Sequence, residues 1–229
     1  MANYISQLLS LLARTPPGVK FGQVAGLRVG EDAHLKGADG VRRAKRWLES
    51  TMRVSTSFTN VESDSTKRKL CYTWPHGGQS FSYDLGGMLR GAEFASDTFS
   101  AEVKLYLKPQ DQGIEYREFL ARSYAAVAGG SQFCDHLLWI TWCPFSITSW
   151  HELRTPECVR AAVLEHRARL FDTKDEQAAA AQVDEEIVKA VADRLWIVVL
   201  SDKQEKLVPL AEWVGIVNQY ISGKEMGEL

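Results

Sequence analysis

Between Ser80 and Tyr106 the chain reads SFSYDLGGMLRGAEFASDTFSAEVKLY, and this stretch limits the fold more than any other. From Phe81 to Leu85, the large residues Phe81, Tyr83 and Leu85 alternate with Ser82 and Asp84. From Phe99 to Tyr106, the apolar residues Phe99, Ala101, Val103 and Leu105 alternate with Ser100, Glu102, Lys104 and Tyr106. Successive side chains of a strand point to opposite faces, so the pattern predicts two half-buried strands joined by a Gly-bearing connection. Parity puts Glu102 and Lys104 on one face, and Asp84 on the polar face of its own strand. If the strands pair, two carboxylates and an amine converge beside an apolar core. Two arrangements meet that description. One is a metal site with an adjacent amine; the other is a cross-strand salt bridge worth under about 1 kcal/mol.

The flanking segments extend this pair into a domain. Leu70 to Trp74 (LCYTW) predicts a preceding strand, joined to the pair by the turn Pro75-His76-Gly77-Gly78, so that three strands form an antiparallel meander. Upstream, Val41 to Val54 has helical spacing, with Val41, Ala44, Trp47, Leu48 and Met52 on one face. Ser55 to Lys69 is polar and reads as a loop. Gly113 to Val127 predicts a helix with a stripe of Tyr116, Phe119, Leu120, Ser123, Tyr124 and Val127, ended by Gly129-Gly130. Leu137 to Cys143 is a continuous apolar run suited to a central strand covered on both faces.

The last third predicts a helix from Pro156 to Leu170 and helix continuing through Val191. A second buried strand follows from Arg194 to Leu200, then a closing helix from Val208 to Ile221 with Leu210, Trp213, Val214, Val217 and Ile221 as its apolar set. A short amphipathic helix (Ile5, Leu8, Leu9, Leu12) stopped by Pro16-Pro17 is expected at the N-terminus. The expectation is one α/β domain over residues 1–229, with a core at about 41–143 and a C-terminal αβα extension over 144–229.

With 45% hydrophobic residues in 229, the chain has ample material for a core. A net charge of -2 excludes a global basic field. A local one is concentrated in Arg42, Arg43, Lys45 and Arg46, which read either as a solvated helix face or as a helix that meets phosphates. No apolar run approaches the roughly 20 residues of a membrane span, and the N-terminal apolar run lacks a preceding basic region. A cytoplasmic protein is expected. Cys71, Cys134, Cys143 and Cys158 form no C-x-x-C pair and read as free thiols. Cys134, His136 and Cys143 lack a well-placed fourth zinc ligand.

The order α-β-β-β-α-β, with Asp84 on the second strand and Glu102-Val103-Lys104 on the third, resembles the PD-(D/E)XK nuclease superfamily, the restriction-endonuclease-like fold. The resemblance covers roughly Val41 to Cys143, and Tyr83 stands where the written motif has proline. It implies a mixed sheet flanked by helices and a metal-dependent nuclease hydrolysing phosphodiester bonds of DNA, with RNA not excluded. Asp84 and Glu102 would hold Mg²⁺ or Mn²⁺, joined by the backbone carbonyl of Val103. Lys104 would orient or help deprotonate the attacking water, or stabilise developing negative charge. Glu49 on the first helix, Gln79 at the turn and Tyr116 on the following helix are secondary candidates. The resemblance also implies a component of a bacterial defence or mobile-element system; on this reading the C-terminal helices are expected to mediate assembly with a protein partner or as a homodimer. The alternative is a non-catalytic nucleic-acid- or protein-binding subunit built on the same fold.

Overall fold

Helix α1 (37–50) forms where Ala44 and Leu48 recur at helical spacing, and both are buried. Met52, in the left-handed region at φ 60°, turns the chain into strand β1 (Val54–Thr59). The computed structural model describes residues 37–225, apart from 95, 107 and 110. These belong to one compact unit, Gly37–Leu229. The expected N-terminal helix lies outside the described residues.

The segment expected as a loop, Ser55 to Lys69, holds most of β1 and the helix α2 (Asp64–Leu70). A bulge between Val54 and Thr56 interrupts the alternation of β1, and this edge strand is rich in Ser and Thr, so its period of two is lost from the sequence. Helix α2 buries only Leu70 and has no apolar stripe to betray it. Its start is nonetheless written in the chain. The Ser63 hydroxyl accepts from the Thr66 N–H, and the Thr66 hydroxyl accepts from the Ser63 N–H, a capping box that satisfies two otherwise orphaned donors.

The strand expected from Leu70 to Trp74 becomes β2 (Cys71–Thr73), but it pairs with β3 (Ser80–Ser82) in a separate two-stranded sheet. The strand expected from Phe81 to Leu85 is broken at Asp84. Its first half is β3; its continuation, β4 (Leu85–Leu89), lies inside the main sheet. That sheet runs β1-β4-β5-β6-β7, with β5 at Thr98–Lys104, β6 at His136–Thr141 and β7 at Leu195–Val199. β4 is antiparallel to β1 and β5, whereas β6 is parallel to both β5 and β7. The hairpin β2-β3 and α2 are thus an insertion between the first two strands of a mixed sheet.

Helix α3 (Gln112–Ala128) makes the crossover that parallel β5 and β6 require. It buries Tyr116, Phe119, Leu120, Ser123 and Tyr124, as its stripe predicts. These join Tyr83, Leu137 and Trp139 in the core on one face of the sheet. On the other face Ala44 and Leu48 of α1 pack with Leu85, Phe99, Ala101 and Val103. Helices therefore flank both faces of a five-stranded mixed sheet, an α/β architecture.

The helical region after β6 is more broken than expected. A 3₁₀ turn (Ile147–Glu152) precedes α4 (Pro156–Glu165), α5 (Arg167–Phe171), α6 (Glu176–Ala180) and α7 (Glu185–Arg194). Asp175 and Asp184 each accept two backbone N–H bonds and start new helices where one continuous helix was expected. β7 sits at the sheet edge and leaves Trp196 exposed, so it is not the buried strand its apolar run suggests. α8 (Asp202–Glu205) and α9 (Ala211–Glu225) close the described chain.

Candidate functional site

The break between β3 and β4 places Asp84. The Asp84 N–H donates to the Ala101 carbonyl at 3.0 Å, and its own carbonyl accepts from the Asn60 N–H at 3.2 Å. Its Oδ2 accepts from the Val103 N–H at 2.9 Å. The β4–β5 register pairs Leu85 with Ala101, so one further step sets Asp84 opposite Glu102. The neighbouring Tyr83 is fully buried and shares a 3.1 Å hydrogen bond with Ser123 of α3, anchoring the chain just before the carboxylate.

Glu102 and Lys104 share the α3 side of β5, as parity requires. Lys104 Nζ lies 3.1 Å from Glu102 Oε1 and 3.3 Å from Glu115 Oε2 of α3. It also lies over the Trp139 ring, 6.0 Å from the centroid. Arg122, two turns along α3 from Glu115, brings its guanidinium to 3.9 Å from Glu102 Oε1 while binding Glu118 at 2.9 Å. Tyr106 donates to Glu115 at 2.7 Å. The two carboxylates of the sequence motif thus sit in a wider polar cluster, under a helix whose other face is core.

The electrostatics follow from burial. Desolvation pushes the Glu102 carboxyl up to about 7, reinforced by repulsion from Asp84 and opposed by Lys104 and Arg122. Desolvation likewise raises Asp84, against the Val103 N–H, Lys104 and Arg122. For Lys104, burial alone would lower the pKa, but Glu102 and Glu115 outweigh it and the result is raised. Lys104 is therefore a persistent ammonium, suited to orienting and stabilising negative charge rather than accepting a proton. That narrows the roles its sequence position leaves open.

Glu102 Oε2 is buried without a hydrogen-bond partner. A buried, unpaired carboxylate oxygen is costly unless something binds it. Two facing carboxylates with one such oxygen suit a hard cation that keeps several waters. Among the described residues, no group of three or more His, Cys, Asp or Glu side chains is arranged to hold a metal ion. A cation at Asp84 and Glu102 would therefore rest on two side-chain carboxylates, with the Val103 backbone carbonyl and water to complete its shell. The Val103 N–H is committed to Asp84, and its side chain packs in the core on the α1 side.

The secondary candidates fall elsewhere. Glu49 accepts from the Ser57 hydroxyl at 2.6 Å on the α1 side of the sheet, opposite the cluster. Gln79 uses its carbonyl to accept from the Trp74 N–H in the β2–β3 turn. Tyr116 is core: its hydroxyl donates to the Leu153 carbonyl at 2.8 Å and its ring meets Trp139 and Phe145.

The basic helix is largely neutralised. Arg42 pairs with Asp39, Lys45 with Glu62, and Arg43 with Asp202 and Glu205. Arg43 also stacks on Trp142. Only Arg46 of the four has no acidic partner among the described residues. Glu115, Arg122 and Tyr106 were not singled out in the sequence. For Glu115 and Arg122 the signal was the spacing 115, 118, 122, which sets Glu115, Glu118 and Arg122 along one stripe of the helix after the motif; Tyr106 carried none.

No family model matches the chain, and no curated protein or solved structure is significantly similar to it. No helix among the described residues is long and apolar enough to cross a membrane.

Proposed function

We propose that the chain is a divalent-cation-dependent nuclease with a restriction-endonuclease-like core, acting on DNA. The observation that carries this reading is the facing pair Asp84 and Glu102, with Lys104 on the same side and Glu102 Oε2 buried without a partner. The topology supports it: α1, β1, β4, β5, α3 and β6 follow the order α-β-β-β-α-β, with β1 taking the place assigned to Leu70–Trp74.

Asp84 and Glu102 would hold Mg²⁺ or Mn²⁺. When bound there, the cation polarises the phosphoryl oxygen and acidifies a bound water. Lys104, held as an ammonium by Glu102 and Glu115, stabilises negative charge developing on the phosphate. Asp84 is kept in register with Glu102 by the Val103 N–H. Arg42, Arg43 and Lys45 of α1 are taken up by internal ion pairs, which leaves only Arg46 of the four without an acidic partner among the described residues. Phosphate binding is therefore assigned to the site cluster rather than to that helix.

The test is cleavage of plasmid and single-stranded DNA with Mg²⁺ or Mn²⁺, comparing the natural chain with Asp84→Ala and Lys104→Ala. Each substitution is expected to lower the rate by at least about a hundredfold. Cleavage that persists in both variants would overturn the site. Absence of cleavage by the natural chain, with DNA binding retained, would favour the binding-subunit alternative.

A further inference from the structure

Helix α9 is turned the wrong way round for a helix that serves only its own core. At 100° per residue, Leu210, Trp213, Ile216, Val217 and Tyr220 fall on one face. That face is exposed: Trp213 is 65% accessible, Ile216 68% and Tyr220 53%. The opposite face, which is half-buried, carries Val214, Asn218, Ile221 and Ser222. Asn218 Oδ1 is buried there without a partner, and Ser222 accepts a long 3.5 Å contact from Arg90. The helix thus buries its more polar side and shows its more apolar side.

The exposed face has the form of a helix-pairing seam. Leu210, Trp213, Val217 and Tyr220 follow the alternating three- and four-residue spacing of coiled-coil a and d positions. With Ile216 they leave on the order of 700 Å² of mostly apolar surface on one copy, against about 800 Å² per partner in a standard interface. A monomer seldom exposes so large a contiguous apolar patch.

The charges along the helix choose the occupant and its direction. Glu212 lies in the first turn and Lys224 in the last. A second copy laid antiparallel brings Glu212 of each copy toward Lys224 of the other. A parallel copy would set like charges together. A two-fold axis needs one patch complementary to itself, and this face meets that condition.

We infer that α9 is a homodimerisation element, through which two copies of this chain pair by an antiparallel, isologous contact centred between Val217 and Tyr220, the position that sets Glu212 of each copy opposite Lys224 of the other. The inference is independent of the nuclease reading. It requires sedimentation equilibrium of the full chain to show a concentration-dependent dimer. Trp213→Glu and Ile216→Lys, both at exposed positions, should each weaken dimerisation by at least about a hundredfold, because each change acts twice across a two-fold axis. Their circular dichroism should match the natural chain. Lys224→Glu should weaken the dimer several-fold, and Glu212→Lys combined with Lys224→Glu should restore it. A natural chain that stays monomeric at about 100 μM, a concentration high enough to populate even a weak dimer, would overturn the inference. In that outcome the face would be one for a different protein. A dimer unaffected by both face substitutions would overturn it equally.

Discussion

The Glu102 carboxyl sits at the centre of the polar cluster, and its titration is the most direct physical handle on it. Burial and the proximity of Asp84 hold it at about 7, from an ordinary value of 4.5. Between these values the folded chain keeps a proton that the unfolded chain has already released. Stability therefore declines as pH rises from about 4.5 to about 7, and the loss is complete above the folded value. Glu102→Gln cannot titrate, so urea midpoints of the cation-free variant should fall less between about pH 5 and about pH 8 than those of the natural chain. If the proposed cation site is right, Mg²⁺ would bind the deprotonated carboxylate, and it should raise the natural chain's midpoint more at the higher pH and leave the variant's unchanged. A natural chain whose midpoint rises steadily over that range would contradict the assignment. The residues on β5 were legible because alternation alone sets Glu102 and Lys104 on one face. Arg122, Glu115 and Tyr106 were not, because only the docking of α3 onto the sheet brings them there.

Among the elements, β4 is the most demanding. It lies between β1 and β5, and its pair Gly86-Gly87 is packed from both sides. A Cβ on Gly87 would collide with the Thr56 carbonyl oxygen and the Phe99 ring, and one on Gly86 with the Leu70 side chain. These glycines serve close approach of strand to strand. Gly87→Ala should cost about 2 kcal/mol or more, because the backbone of β1 must move away. Gly215 in α9 is the contrasting case, since a Cβ there meets nothing within 4 Å. Gly215→Ala should stabilise by up to about 1 kcal/mol through helix propensity. Urea unfolding of the two variants checks both signs, and a tolerated Gly87→Ala would mean the β1–β4 pairing is looser than described. The segment around these glycines was hard to read for the same reason: small residues carry no alternation, so the continuation of the strand past Leu85 left no hydrophobic pattern.

For the molecule as a whole, contacts between distant parts of the chain give Arg43 its role. Its guanidinium binds Glu205 and Asp202 and stacks on Trp142, while the Trp142 indole donates to Glu205. The group joins α1 to the segment after β7 and to the end of β6. Glu205 is the largest cause of the raised Arg43 pKa, although partial exposure limits the pair's worth. Arg43→Ala should destabilise the fold by about 1–2 kcal/mol. If this helix is structural rather than phosphate-binding, the variant should leave DNA affinity and its salt dependence unchanged. A drop in the slope of log affinity against log salt by about one would restore Arg43 as a phosphate contact. Fluorescence anisotropy with a labelled duplex, in the absence of divalent cation, separates the two effects.

Local pattern was enough to identify β5, α3 and β6. Each is buried on one stripe or on both faces over its length, so the hydrophobic period survives in the order of residues. The same pattern named Asp84, Glu102 and Lys104 as a group. It did not reveal β1 or α2, where a bulge and a nearly all-polar surface erase the period, nor the break at Asp84 that moves its strand into the middle of the sheet. Nor did it show which charges would be spent on internal pairs, because Arg43 and Glu205 are far apart in the chain and meet only when α8 is carried back beside α1. The outward apolar face of α9 belongs to the same class. Its spacing gave an apolar set, and only the packed arrangement of the other elements leaves Leu210, Trp213 and Val217 of that set facing outward while Val214 and Ile221 are half-buried. Periodicity records whether a residue has apolar company, but the company itself is set by which surfaces the folded chain brings together.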